Sequence, residues 1–180
     1  MKKLIKWFIV IAIVVMLVEA FNNFVNPETE DIVYLANKTK AEMESTLGCS
    51  LSQNDTMASR IYAYTEGELT LDWNSDEGFG IIYIDDKQAG IHTDNRLYSM
   101  YNIKIGDPVI GVKDDITFSY DENFEVLDDL YGGSSTATFY YNNTRKDCLV
   151  VIANDTTNRV VALSYYTDGK KATEQLKPLY

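Results

Sequence analysis

Oxygen-bearing side chains at alternate positions are the first candidates for chemistry in this chain. Asp72, Asn74 and Asp76 stand two residues apart in the run Asp72-Trp73-Asn74-Ser75-Asp76-Glu77-Gly78, the spacing with which a loop wraps a calcium ion. An EF-hand loop also needs glycine at its sixth position and a bidentate glutamate at its twelfth. Counted from Asp72, those places hold Glu77 and Tyr83. The run therefore reads first as a polar hairpin loop, with a calcium site at Asp72, Asn74 and Asp76 as the alternative. Cys49 and Cys148 are the only cysteines. A disulfide between them would suit an oxidising compartment, and two separate thiols are the preferred alternative. The single histidine, His92, follows Gly90-Ile91 in an apolar, strand-like stretch and reads as a strand residue facing solvent or a neighbour.

Other chemistry lacks its signature. Gly132-Gly133-Ser134-Ser135 has no following Lys-Ser/Thr and reads as a loop, not a phosphate cradle. Gly-x-Ser-x-Gly, His-Glu-x-x-His and Cys-x-x-Cys do not occur. Adjacent acids such as Asp85/Asp86 and Asp128/Asp129 diverge on a strand and make poor acid–base pairs. No catalytic or cofactor-binding residue is assigned, and a non-enzyme is expected.

Composition narrows the classes further. The 180 residues are 46% hydrophobic and 24% charged, as in a folded protein. Sixteen bases against 27 acids give a net charge of −11, which argues against a nucleic-acid partner because phosphate binding needs a basic surplus. Between Asp107 and Asp129 eight acids face the single base Lys113. That stretch reads as a solvated face, with a cation or a basic partner as the alternative.

The elements that would position these residues begin with an export signal. Lys2, Lys3 and Lys6 precede an apolar run from Trp7 to Val18, a pattern that drives membrane insertion with the lysine end inside. Extended from Leu4 to Val25, the run is long enough to span a bilayer. An uncleaved single-pass anchor is preferred, with the rest of the chain outside the cytoplasm; a signal cleaved near Val18-Glu19-Ala20, giving a secreted protein, is the alternative. After Pro27, a short helix is expected over Glu28–Ala36. A second follows the capping box Thr39-Lys40-Ala41-Glu42, ends at Gly48, and carries Met43 and Leu47 on one side. Leu69, Leu71 and Trp73 alternate with polar residues as a strand. Gly80–Ile84 and Ala89–Thr93 complete an antiparallel meander around an Asp85–Gln88 turn.

The order then recurs. Asp107-Pro108 resembles a helix start, with a helix to about Asp115. Ala137, Phe139 and Tyr141 alternate, and Leu149–Ala153 and Val160–Tyr166 flank a turn at Asn154–Asn158. Offsets of about 70 residues suggest an internal repeat. The expected fold is α+β: two tandem repeats of a short helix plus an antiparallel β-meander, after an N-terminal transmembrane or signal helix. The domains would be residues 1–25 (signal-anchor or signal peptide), 26–100 (first repeat) and 101–180 (second repeat), the two repeats packed as one ectodomain.

Several segments resemble the CAP-associated N-terminal domain, an exported module of Gram-positive bacteria. Lys40–Gly48 is similar to its helix ending in Leu-Gly, and Ser59-Arg60-Ile61-Tyr62-Ala63-Tyr64 to the entry to its first sheet. Tyr101-Asn102-Ile103-Lys104-Ile105-Gly106-Asp107 and Ile116-Thr117-Phe118-Ser119-Tyr120 look like two central segments of the family. The family usually carries a C-terminal CAP domain; none is expected here, so that domain's activity is not carried over. The resemblance supplies no catalytic residues. The layout also looks like β-lactamase-inhibitor folds, which bind proteins over a concave sheet. The functional expectation is a non-catalytic module of the cell envelope that binds a protein partner through a sheet face, attached to the membrane by its N-terminal helix. The alternatives are a calcium-dependent sensor or envelope enzyme using the acidic loops, or an inhibitor of a secreted hydrolase.

Overall fold

The computed structural model describes residues 9–18, 28–61, 69–112, 119–126, 133–142 and 144–169. Helix α1 occupies residues 9–18 and its side chains are exposed. Among the described residues no helix is long and apolar enough to cross a membrane. The expectation of a single-pass anchor, and of membrane attachment through this helix, is thereby corrected. The lysine flank and the outer parts of the Leu4–Val25 run lie outside the described residues.

Strand β1 (Glu30–Asp31) and a 3-10 turn (Val33–Asn37) stand where a helix was expected. The cause is tertiary. β1 pairs in parallel with β6 (Tyr98–Met100) through Glu30 and Tyr98 and through Asp31 and Ser99. The tighter turn that follows still buries Leu35 and Ala36. Helix α2 (Lys40–Leu47) has the capping box, with the Thr39 side chain accepting from the Glu42 N–H, and Gly48 closes it at φ 68°. Met43 is buried beneath it. β2 (Ser52–Gln53) and α3 (Asp55–Ile61) follow.

The described residues after α3 are mostly strand. β3 (Leu69–Asn74), β4 (Phe79–Ile84) and β5 (Lys87–Thr93) form one antiparallel run. β6 and β7 (Ile103–Lys104) form a small hairpin. β8 (Ser119–Val126), β9 (Ser135–Tyr141), β10 (Cys148–Asn154) and β11 (Arg159–Tyr166) form a second antiparallel run. β5 pairs with β11, so the two runs fuse into one eight-stranded sheet in the order β2-β3-β4-β5-β11-β10-β9-β8, beside a three-stranded sheet β1-β6-β7.

This architecture overturns the expected α+β pair of helix-plus-meander repeats. The protein is mostly β, and no α-helix starts at Pro108: Val112 is the first α-helical residue of the second half, and the residues directly after it lie outside the described ones. The segment after Asp107-Pro108 is a three-residue 3-10 turn, Val109–Gly111. Asp107 does not cap a helix: its carboxylate accepts the Lys104 N–H at 3.0 Å, and Pro108 bridges to Arg159. Residues 113–115 of the expected helix lie outside the described residues.

Both faces of the large sheet's central strands, β3–β5 and β9–β11, are buried. One carries Phe79, Ile81, Ile91, Leu149, Val151 and Leu163, packed against Ile32, Leu35, Met43, Met100 and Ile103 from the small sheet, the 3-10 turn and α2. The other carries Leu71, Trp73, Ile82, Phe139, Val150 and Ala162, with Ala58 of α3. Alternation along the strands puts neighbouring residues into different cores: Leu149 goes to the first and Val150 to the second.

Candidate functional site

The described residues contain one buried charge cluster that reaches the surface, built from three elements that sequence spacing does not connect. β6 and β7 are joined by a two-residue turn in which Tyr101 and Asn102 have φ of 53° and 64°, the conformation of a type I′ hairpin. Asparagine tolerates this region, but tyrosine holds it at a cost of about 1–2 kcal/mol. The contacts of the Tyr101 ring offset that cost. It lies 5.3 Å beneath the Arg145 guanidinium carbon and 5.9 Å from the Tyr165 ring.

Asp147 ties the group together. Its Oδ2 accepts from Arg145 Nε at 2.7 Å, from the Tyr165 hydroxyl at 2.8 Å and from the Tyr101 hydroxyl at 3.3 Å. Arg145 also donates to the Tyr101 oxygen at 3.1 Å. The Asp147 side chain is only 4% exposed whereas that of Arg145 is 46% exposed. The cluster thus has a sealed floor, Asp147 and Tyr165, and a wet rim, Arg145 and Tyr101. Asp147 Oδ1 is buried with no hydrogen-bond partner, a cost that structures rarely carry.

Electrostatics fix what this cluster can do. Burial, then the hydrogen bond to Asp147, holds the Tyr165 phenol well above its ordinary range. Tyr101 is raised as well, with burial as the largest cause. The bond to Asp147 raises Arg145. Both phenols remain protonated donors at neutral pH and the guanidinium remains charged, so the arrangement holds a rigid surface. Asp147→Asn removes the charge that three donors share. We expect a loss of about 1–3 kcal/mol, read from urea unfolding midpoints. Tyr101→Phe, which removes the 3.3 Å bond to Asp147 and the 3.1 Å bond from the half-exposed Arg145, should cost about 1 kcal/mol.

The residues singled out in the sequence lie elsewhere and are not brought together. Asp72 Oδ2 is 2.9 Å from Lys40 Nζ. Burial and the same carboxylate push the Tyr83 phenol up to about 12. Asn74 Oδ1 accepts the N–H groups of Asp76 and Glu77, and its amide donates to Ser50 O. Asn142 and Asn154 do the same in the loops after β9 and β10, each capping the second and third residues on. The fourth residue after each asparagine, Gly78, Lys146 or Asn158, takes positive φ. The calcium-like spacing at Asp72–Gly78 is thus one of three asparagine-capped hairpin loops. The signal that finds this device is the recurrence of asparagine at strand ends. Among the described residues no group of three or more His, Cys, Asp or Glu could hold a metal ion.

Cys49 packs against the first core and Cys148 lies in the second, so the large sheet stands between them and both remain thiols. Burial, then Glu77 and Glu44, raises the Cys49 thiol above its usual range. His92 is buried, and its Nδ1 lies 2.8 Å from Ser164 Oγ, directly opposite on β11. The pair has the spacing of a nucleophile and its base, but Ser164 is 1% exposed and burial lowers His92 to about 3. It is a core hydrogen bond. Of the acidic stretch 107–129, residues 113–118 and 127–129 lie outside the described residues, as do Gly132 and residues 62–64 of the Ser59–Tyr64 segment.

No protein-family model matches the chain, and no curated protein matches it. Among solved structures it is similar to an extracellular protein containing a SCP domain from Bacillus anthracis str. Ames, at 11% identity and a TM-score of 0.46, over 80% of this chain and 48% of that one. The chain spans about half the length of that structure.

Proposed function

We propose that this protein is an exported, non-catalytic module that binds a protein partner through the Tyr101–Arg145 rim. The observation that carries the reading is a half-exposed arginine stacked on a tyrosine, both pinned from beneath by buried Asp147 and Tyr165. Arginine and tyrosine are among the residues that dominate interface energies, and side chains already held in one geometry lose little entropy on binding. The central strands of the large sheet have both faces in the two cores, which favours the loops at the sheet's end over those faces as the contact. Export is inferred from the lysine-flanked apolar run, Trp7 to Val18, which has the length of a secretory signal core. The resemblance to the CAP-associated N-terminal domain fits such a protein, and it rests on short motifs, of which Lys40–Gly48 corresponds to α2 and its cap.

The test places a photo-crosslinking amino acid at position 101, or at the 93% exposed Ile110 as a control, in a bacterial host. One stoichiometric adduct at position 101, absent at 110 and lost with Arg145→Ala, is expected. Equal capture at both positions, or adducts only with itself, would overturn the reading.

A further inference from the structure

The eight-stranded sheet has two unlike edges. β2 is two residues long, too short to template another strand. β8 runs for eight residues at the other edge, roughly 27 Å at about 3.4 Å per residue. It is paired along its inner side with β9 from Ser119 opposite Tyr141 to Val126 opposite Ser135, with a bulge at Asp121. Among the described residues no strand pairs with its outer side, and an edge of this length presents a row of backbone N–H and C=O groups that can take up another strand. Its composition is selective. The sequence Ser-Tyr-Asp-Glu-Asn-Phe-Glu-Val has three acids and no base, in a chain of net charge −11.

We propose that β8 accepts an extended, lysine- or arginine-bearing segment of a partner protein as a ninth strand. Charge decides the occupant. A second copy of β8 would bring three acids against three acids, and like charges across a strand pair are destabilising, whereas opposite charges contribute roughly 0.2–1 kcal/mol per pair. The overall negative charge also steers a basic segment toward the molecule. Ser119 pairs with Tyr141, and Tyr141 with Cys148, the residue after Asp147. The start of β8 is therefore about two strand spacings, roughly 10 Å, from the strand that begins beside Asp147. One partner can lay a strand on β8 while touching the Tyr101–Arg145 rim. The proposal deepens the binding-module reading and rests on it for the identity of the partner as a protein.

The test uses the full chain and three fluorescein-labelled octapeptides in anisotropy titrations at low salt: alternating lysine and valine, the same peptide with alternate backbone amides N-methylated, and a glutamate–valine counterpart. The unmodified basic peptide should bind at least ten-fold more tightly than either of the others. Binding should also slow amide exchange over residues 119–126. The double variant Glu122→Lys, Glu125→Lys, checked for folding by circular dichroism, should lose the basic peptide and gain the acidic one. Equal binding of the methylated peptide would reduce the effect to charge alone and overturn the added strand, as would no binding or unchanged exchange. None of these outcomes depends on Arg145, so the edge and the rim fail or stand separately.

Discussion

Replacing Gly90 with alanine is expected to cost about 3 kcal/mol, the upper end of the range for inserting atoms into a packed interior, and more if the neighbouring backbone cannot move. A β-carbon at this position would sit 2.1 Å from the Tyr165 carbonyl oxygen and 3.0 Å from its carbon. The obstacle is backbone, which cannot swing aside as a side-chain tip can. Gly90 is also at the seam that joins the two runs of strands: it faces Ile82 on β4 and Tyr166 on β11. The β4–β5 register shifts beside it, between Ile82 and Tyr83. A bulge bends a strand, and a glycine next to it lets another backbone approach closely. Gly48→Ala provides the contrast. Nothing lies within 4 Å of a β-carbon there, so that variant loses only the left-handed preference, about 1 kcal/mol. Urea unfolding of both variants, followed by circular dichroism, checks the difference. Equal losses would mean that the β5–β11 seam yields and does not set the fold.

The second large effect is on acid stability. His92 is wholly buried, and its conjugate acid has a pKa lowered from 6.5 to about 3 by desolvation. In the unfolded chain the imidazole takes a proton near pH 6.5, whereas in the folded chain it refuses one until about pH 3. Between those values the unfolded state binds the extra proton, so the stability contributed by His92 is complete above about pH 6.5 and is lost as pH falls toward 3. The slope is about 1.4 kcal/mol per pH unit, or about 2–3 kcal/mol by pH 4.5. His92→Gln keeps a group able to bond Ser164 and removes the titration. The stability difference between the two proteins should therefore shift in favour of the variant by about 2–3 kcal/mol between pH 7 and pH 4.5. Because the chain has one histidine, its imidazole resonance can be followed alone, and it should not titrate between pH 8 and pH 4. A midpoint near 6.5 would place His92 in water and remove the effect.

Strand positions were legible because alternation is local. Leu71 and Trp73 enter one core, and Leu149 and Val150 enter opposite ones. The α2 capping box was legible for the same reason: Thr39 and Glu42 satisfy one another, and the Gly48 N–H reaches the Glu44 carbonyl, all within ten residues. The helix expected at Glu28–Ala36, and the helix start expected at Asp107-Pro108, gave way because tertiary pairing overrode local preference. β1 is held by β6, and the Asp107 carboxylate is taken by Lys104 in a tight turn. The calcium reading of Asp72–Gly78 arose because a capped hairpin and an ion-binding loop both place oxygens at alternate positions. Only the destination of those oxygens separates the two, and here they go to Lys40 and to backbone N–H groups.

The candidate site was not visible at all. Tyr101, Arg145, Asp147 and Tyr165 come from a hairpin, a loop and the end of a strand, up to 64 residues apart, and each looks ordinary alone. By itself the sequence determined the six strands β3, β4, β5, β9, β10 and β11, the α2 cap, the acidic charge and the apolar run after the lysines, since each depends on residues within one element. The tertiary structure alone decided that the two runs fuse through β5 and β11, that a sheet separates the thiols, and that a strained tyrosine meets a buried aspartate. Those outcomes turn on backbone register and on which edges find each other, and such pairings are settled by burial across the whole chain.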